Sequence, residues 1–150
     1  MAFGRYFDEF QAGQVFEHLP GRTVNDYDSV WFSLLSMNQH PLYLDEPYAR
    51  ARGFERRPAA ETFVFSLVVG MSVRDTSGKA IANLGFERVV FERRVYAGDT
   101  LRAESEVLDT RESASKTDRG MVHIETRAFN QNGERVMWLR RTFLAPKHAG

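Results

Sequence analysis

The chain has 150 residues, 43% hydrophobic and 27% charged, which fits one globular domain over 1–150 and excludes a disordered or fibrous architecture. Twenty basic residues balance twenty acidic ones, so no net field favours nucleic acid or an anionic membrane, and an anionic ligand has to be met by a local basic patch. Cysteine is absent, excluding disulfides and thiolate chemistry, and with no apolar leader and no membrane-length apolar run a cytoplasmic protein is expected.

Residues 14–19 read as an early strand and residues 26–37 as a helix. A polar turn follows, then Pro41-Leu42-Tyr43-Leu44-Asp45 and an alanine-bearing stretch ending at Gly53-Phe54. Residues 63–73 are apolar nearly all round, which for a helix means burial on most sides. Periodicity alone fits a buried strand as well; the length of the run, Pro58 ahead of it and Asp75-Thr76-Ser77-Gly78 behind it favour a helix.

From there the pattern has period two, with strands expected at 82–95, 100–111, 121–130 and 134–145. Leu101, Ala103, Ser105 and Val107 alternate with Arg102, Glu104 and Glu106, and Val122, Ile124, Thr126 and Ala128 alternate with His123, Glu125 and Arg127. Asn132-Gly133 marks a hairpin in which both residues tolerate positive φ. Gly85, inside a strand, marks a bulge or a close backbone approach, the bulge being the simpler reading. An α+β fold is therefore expected, an antiparallel sheet curved around a long hydrophobic helix. One such unit leaves a sheet edge open, which predicts edge-to-edge pairing into a homodimer.

The segment Ser36-Met37-Asn38-Gln39-His40-Pro41-Leu42-Tyr43-Leu44-Asp45 resembles the hydratase motif of the MaoC-like dehydratases and (R)-specific enoyl-CoA hydratases. In that motif Asp-x-Asn-Pro-Leu-His is followed by an acidic residue and Ala. Pro41, Leu42, Asp45 and Ala49 fit it; Asn38 stands at the Asp position, His40 at the Asn position and Tyr43 at the His position. Gly53-Phe54 and Arg57-Pro58-Ala59-Ala60 are similar to the family's approach to its central helix, with Ala60-Glu61-Thr62 where Ala-His-Gly is usual. Phe91-Glu92-Arg93-Arg94-Val95 and Gly98-Asp99-Thr100-Leu101 are similar to the family's Phe…Pro-Val…Gly-Asp-Thr-Leu. The likeness runs in order over roughly residues 5 to 145, well beyond one short motif. It implies the hot-dog fold, an acyl-CoA thioester substrate, no cofactor beyond the CoA that arrives with the substrate, no metal, and a homodimer.

Hydration of an enoyl thioester needs a base for water, a proton for the α-carbon and donors for the thioester oxygen that becomes enolate-like. Asn38 orients water but takes no proton, and Tyr43, with an ordinary pKa near ~10, donates readily and accepts poorly. His40, with an ordinary pKa of ~6.5, is the motif residue suited to acid/base work, which makes Asn38 the positioner and Tyr43 the donor. Against this stands the plain reading of His40 as an exposed turn residue and of Tyr43 as a core side chain. By the resemblance, the backbone N–H groups of Glu61 and Thr62 at the start of the central helix form the oxyanion site. The Glu61 carboxylate reads either as a second base or as a favourable charge in the helix's first turn.

His18, His123 and His148 are expected to be structural. Arg22, Arg56, Arg57, Arg88, Arg93, Arg94, Arg140 and Arg141 offer guanidinium groups for CoA phosphates or a substrate carboxylate, with no Gly-rich phosphate loop among them. The leading functional expectation is reversible hydration of an enoyl-CoA to a 3-hydroxyacyl-CoA, the acyl group short and branched or dicarboxylyl of the mesaconyl type. A noncatalytic acyl-CoA-binding module and a hot-dog thioesterase are the alternatives.

Overall fold

Helix α4 (Glu61–Val73) is apolar over most of its circumference: Phe63, Val64 and Val68 are buried, Phe65, Leu67, Val69 and Met71 are half-buried against the same core, and only the line Thr62, Ser66 and Gly70 is exposed. A helix of this kind has to be enclosed. The computed structural model describes residues 3–149 and encloses it with one five-stranded antiparallel sheet, in spatial order β1-β3-β4-β5-β2. The strands are β1 (Val15–Thr23), β2 (Ala82–Phe91), β3 (Thr100–Glu112), β4 (Arg119–Phe129) and β5 (Arg135–Pro146). Helices α1 (Asp26–Leu35), α2 (Pro41–Leu44) and α3 (Glu46–Ala51) fill the connection between β1 and α4.

The period-two reading of the second half holds. Leu101, Ala103, Ala128, Met137 and Leu139 point inward and pack with α4, each large apolar side chain contributing about 1.5–3 kcal/mol by its burial. A second apolar cluster, Val107, Val122, Ile124, Phe143 and Ala145, is closed by Phe7 and Phe10 from the N-terminal segment. This is the hot-dog arrangement expected from the sequence.

The boundaries moved for physical reasons. The strand expected over 82–95 stops at Phe91, because the N–H groups of Glu92 and Arg93 both turn onto the Val136 carbonyl (2.8 and 3.2 Å) and the chain leaves the sheet. Central helix α4 begins at Glu61, two residues ahead of the apolar run, since the polar first turn carries no apolar signal. The Asn83–Gly85 step of β2 is indeed a register shift against β5. At the β4–β5 hairpin Gly133 alone takes positive φ (74°), while the Asn130 carboxamide oxygen accepts from the N–H groups of Asn132 and Glu134.

The segment after β2 is tied down from two sides. Ala59 N–H donates to the Val95 carbonyl (2.8 Å), and Val24 and the Gly98-Asp99 turn exchange bonds of 2.8 Å. The approach to α4 and the exit from β2 are thereby held side by side.

Candidate active site

The hydratase-like segment is built on capping. Helix α1 ends in a Schellman-type turn in which Asn38 N–H reaches back to the Ser33 carbonyl (2.8 Å) and Met37 takes φ 58°, a place usually given to glycine. His40 is the N-cap of α2: its Nδ1 accepts from Leu42 N–H (3.1 Å), and Pro41 follows at the first helical position, where a missing N–H costs nothing. Asp45 repeats the device for α3, accepting from Tyr48 N–H (3.1 Å).

These caps aim the side chains. Tyr43 leaves α2 towards α4 and donates from Oη to Oε2 of Glu61, in the first helical turn. The other oxygen of Glu61 receives Nη1 of Arg94 from the segment after β2, and the Arg94 guanidinium lies over the Phe54 ring, 5.5 Å from its centroid. Glu61 and Arg94 line a cavity of about 200 Å³ with Ala59, Val64 and Val95. Two larger cavities, of about 410 and 430 Å³, open along β1 and are lined by none of the motif's side chains.

At the α4 terminus, Ala60 N–H is satisfied by Ser29 Oγ (2.7 Å), and the first intrahelical bond runs from Val64 N–H to the Ala60 carbonyl (3.1 Å). The N–H groups of Glu61 and Thr62 precede that bond, so they project from the helix end with its partial positive charge.

The expected site residues are thus unequally placed. Tyr43 and Glu61 are in contact, and Thr62 follows Glu61 at the same helix end. Asn38 is half-buried and its Oδ1 accepts from His40 N–H (3.3 Å). His40 is exposed, with its ring centroid 5.5 Å from that of Tyr43. Because Nδ1 accepts from Leu42 N–H, the neutral ring has Nε2 as its donor.

Arg94 is one of eight arginines named as candidates for CoA phosphates or a substrate carboxylate; only the fold singles it out. The sequence signal was its position, Arg-Val where the family pattern reads Pro-Val. Of the other arginines, Arg22, Arg57, Arg93 and Arg140 pair with Asp28, Glu46, Glu134 and Glu125, and Arg56 and Arg88 lie over Tyr96 and Trp138. Arg141 is fully buried and does not reach a ligand at the surface. It bonds Asn83, Ser72 and Ser77 at the far end of α4, and burial pushes its pKa down to about 10. Among the described residues no cluster of three His, Asp or Glu side chains is arranged to hold a metal.

A curved antiparallel sheet around a buried helix, with this motif loop against the helix N-terminus, defines a hot-dog protein of the MaoC-like dehydratase class. The sequence model of a family described as mesaconyl-CoA hydratase matches residues 2–150, and the chain belongs to that family. Mesaconyl-CoA hydratase of Cereibacter sphaeroides is 37% identical over 134 residues, 89% of this chain and 39% of the relative. β-Methylmalyl-CoA dehydratase of Chloroflexus aurantiacus is 36% identical over 135 residues, 89% of this chain and 38% of the relative. Among solved structures, one described as a MaoC domain protein dehydratase, from Chloroflexus aurantiacus, superposes with a TM-score of 0.92 at 33% identity, over 97% of this chain and 41% of that one. The chain therefore spans about two fifths of the length of these relatives.

Proposed function

We propose that the chain catalyses reversible hydration of an enoyl-CoA to a 3-hydroxyacyl-CoA, with a short branched or dicarboxylyl acyl group of the mesaconyl kind. The observation that carries this is the contact of Tyr43, in the hydratase-like loop, with Glu61 in the first turn of α4. It brings Tyr43 of the loop to a helix terminus whose free N–H groups suit an enolate oxygen. The names of the relatives support the substrate class. In this reading the Glu61 and Thr62 N–H groups hold the thioester oxygen, Asn38 positions water, His40 donates a hydrogen bond through Nε2, and Tyr43 gives its one O–H to Glu61 and so ties the loop to the helix terminus.

The relatives are more than twice as long as this chain, and the reading includes pairing of two copies into a homodimer. Strand β2 is the open edge for such a homodimer: Leu84, Phe86 and Phe91 are exposed along it. The opposite edge, β1, is broken by a register shift between His18 and Arg22 and by Pro20, which lacks an N–H.

Crotonyl-CoA and mesaconyl-CoA incubated with the chain should lose the absorbance of the conjugated thioester. Release of free thiol would indicate a thioesterase instead, and binding in a calorimeter without turnover would indicate a noncatalytic module. A monomer by sedimentation at assay concentration would remove the homodimer.

A further inference from the structure

We infer that the Glu61 carboxylate is the group that takes the proton from water, with Arg94 and Tyr43 holding it in place; this rests on the proposed hydration. Three positions at which the chain departs from the family pattern it resembles come together in the fold. Tyr43 replaces the motif His, Glu61 the His of Ala-His-Gly, and Arg94 the Pro of Pro-Val. In the structure they form one contiguous cluster, Tyr43 on Oε2 of Glu61 and Arg94 on Oε1. Departures that were unrelated losses would have no reason to meet.

The alternatives for the base are weak on chemistry. Asn38 has no basic atom, and the Nδ1 lone pair of His40 is engaged by Leu42 N–H. Glu61 carries its carboxylate at the helix terminus whose N–H groups receive the thioester oxygen. An isolated carboxylate there would oppose the negative charge that develops on that oxygen. Arg94 balances it, so the cluster presents a basic oxygen without a net negative charge. The remaining charged neighbours are occupied elsewhere. Glu92 and Arg93 line the same cavity but pair with Arg135 and Glu134, and on the Tyr43 side Arg57 pairs with Glu46, with Asp26 beyond it in the cleft. Arg94 is thus the cation that bears directly on Glu61.

The step balances without another reactant. The oxygen of water bonds to the β-carbon as one O–H bond breaks and its proton passes to Glu61, while the double-bond pair moves onto the thioester as an enolate. Collapse of the enolate takes the proton from Glu61 at the α-carbon and leaves the carboxylate ionised. Arg94 is a positioning residue in this scheme; it keeps Glu61 ionised and oriented.

The test uses the full chain and whichever of crotonyl-CoA and mesaconyl-CoA the wild type turns over. Glu61→Gln should lower kcat by at least ~10²-fold with an unchanged melting temperature, and Glu61→Asp should keep part of the rate. His40→Ala should cost less than ~10-fold. Arg94→Gln should move the acidic limb of the kcat/KM profile to higher pH, because the carboxylate loses the cation that favours its ionised form; a merely structural arginine would not move it. A wild-type rate in Glu61→Gln overturns the inference and leaves the hydration standing. Should that variant fail to fold, an unmoved limb in Arg94→Gln overturns it equally. Absence of turnover by the wild type removes the hydration itself, and the inference with it.

Discussion

At the residue scale, buried polar groups divide the molecule into two ends. Around the N-terminus of α4 the polar side chains are partly exposed and meet a cavity; at its other end they are enclosed. There His18 is buried, with Nδ1 on Asp75 (2.9 Å) and Nε2 on Ser105 Oγ (2.7 Å), and Ser105 in turn bonds Thr126 (2.7 Å). Burial holds the His18 pKa below its ordinary value, outweighing the upward pull of Asp75, while nearby Arg141 also disfavours the charged ring. The unfolded chain takes up a proton at His18 near its ordinary pKa of ~6.5 that the folded chain resists. Its contribution to stability is therefore full above about pH 6.5 and declines as the pH falls below that, by at most about 1.4 kcal/mol per pH unit for one proton. Denaturant melts from pH 8 to 5 should show this decline, and His18→Gln should flatten it while lowering stability at pH 7.5 by about 1–3 kcal/mol through the partners left unsatisfied. An unchanged slope in the variant would show that His18 is not the titrating group. Sequence reasoning placed His18 in a strand but had no means of seeing its three-residue network, because Asp75, Ser105 and Thr126 lie on other elements.

At the element scale, what was visible in the sequence is what is periodic. The alternation in β3 and β4 shows directly in their burial, and the all-apolar run of α4 required enclosure. Helices α2 and α3 were invisible as helices, since four and six residues are too short to show a period and owe their existence to the side-chain caps of His40 and Asp45. The resemblance pointed to Tyr43 and Glu61 separately, and their contact is visible only in the fold. The Arg94 half of the site depended on where β2 ends, and that boundary was misplaced by the apolar Val95. The turn closing α1 gives an element-scale test. Met37 is a non-glycine in the left-handed region, 82% exposed, so its side chain contributes little packing to offset the strain. Met37→Gly should raise stability by about 0.5–1 kcal/mol, read as a higher urea midpoint at unchanged slope. A lower midpoint would show that the Met37 side chain packs in a way its exposure conceals, in an assembled form for instance.

At the scale of the whole molecule, the fold brings one end of a buried helix to the capped loop that lies between β1 and that helix in the chain. The sheet supplies rigidity, the helix terminus supplies fixed N–H dipoles, and the capped loop supplies side chains. Exposed Tyr27, Trp31, Leu34 and Leu35 along α1, together with the open β2 edge, leave apolar surface on the isolated chain that assembly would cover. Placement of the substrate at the α4 terminus is the claim on which the rest depends. It is tested most directly by a crystal structure of the chain with a bound, non-reacting CoA thioester. The expected result is the thioester oxygen within about 3 Å of the Glu61 and Thr62 N–H groups and the β-carbon facing the Glu61 carboxylate. A thioester bound along β1, in the cavities that none of the motif's side chains line, would contradict it.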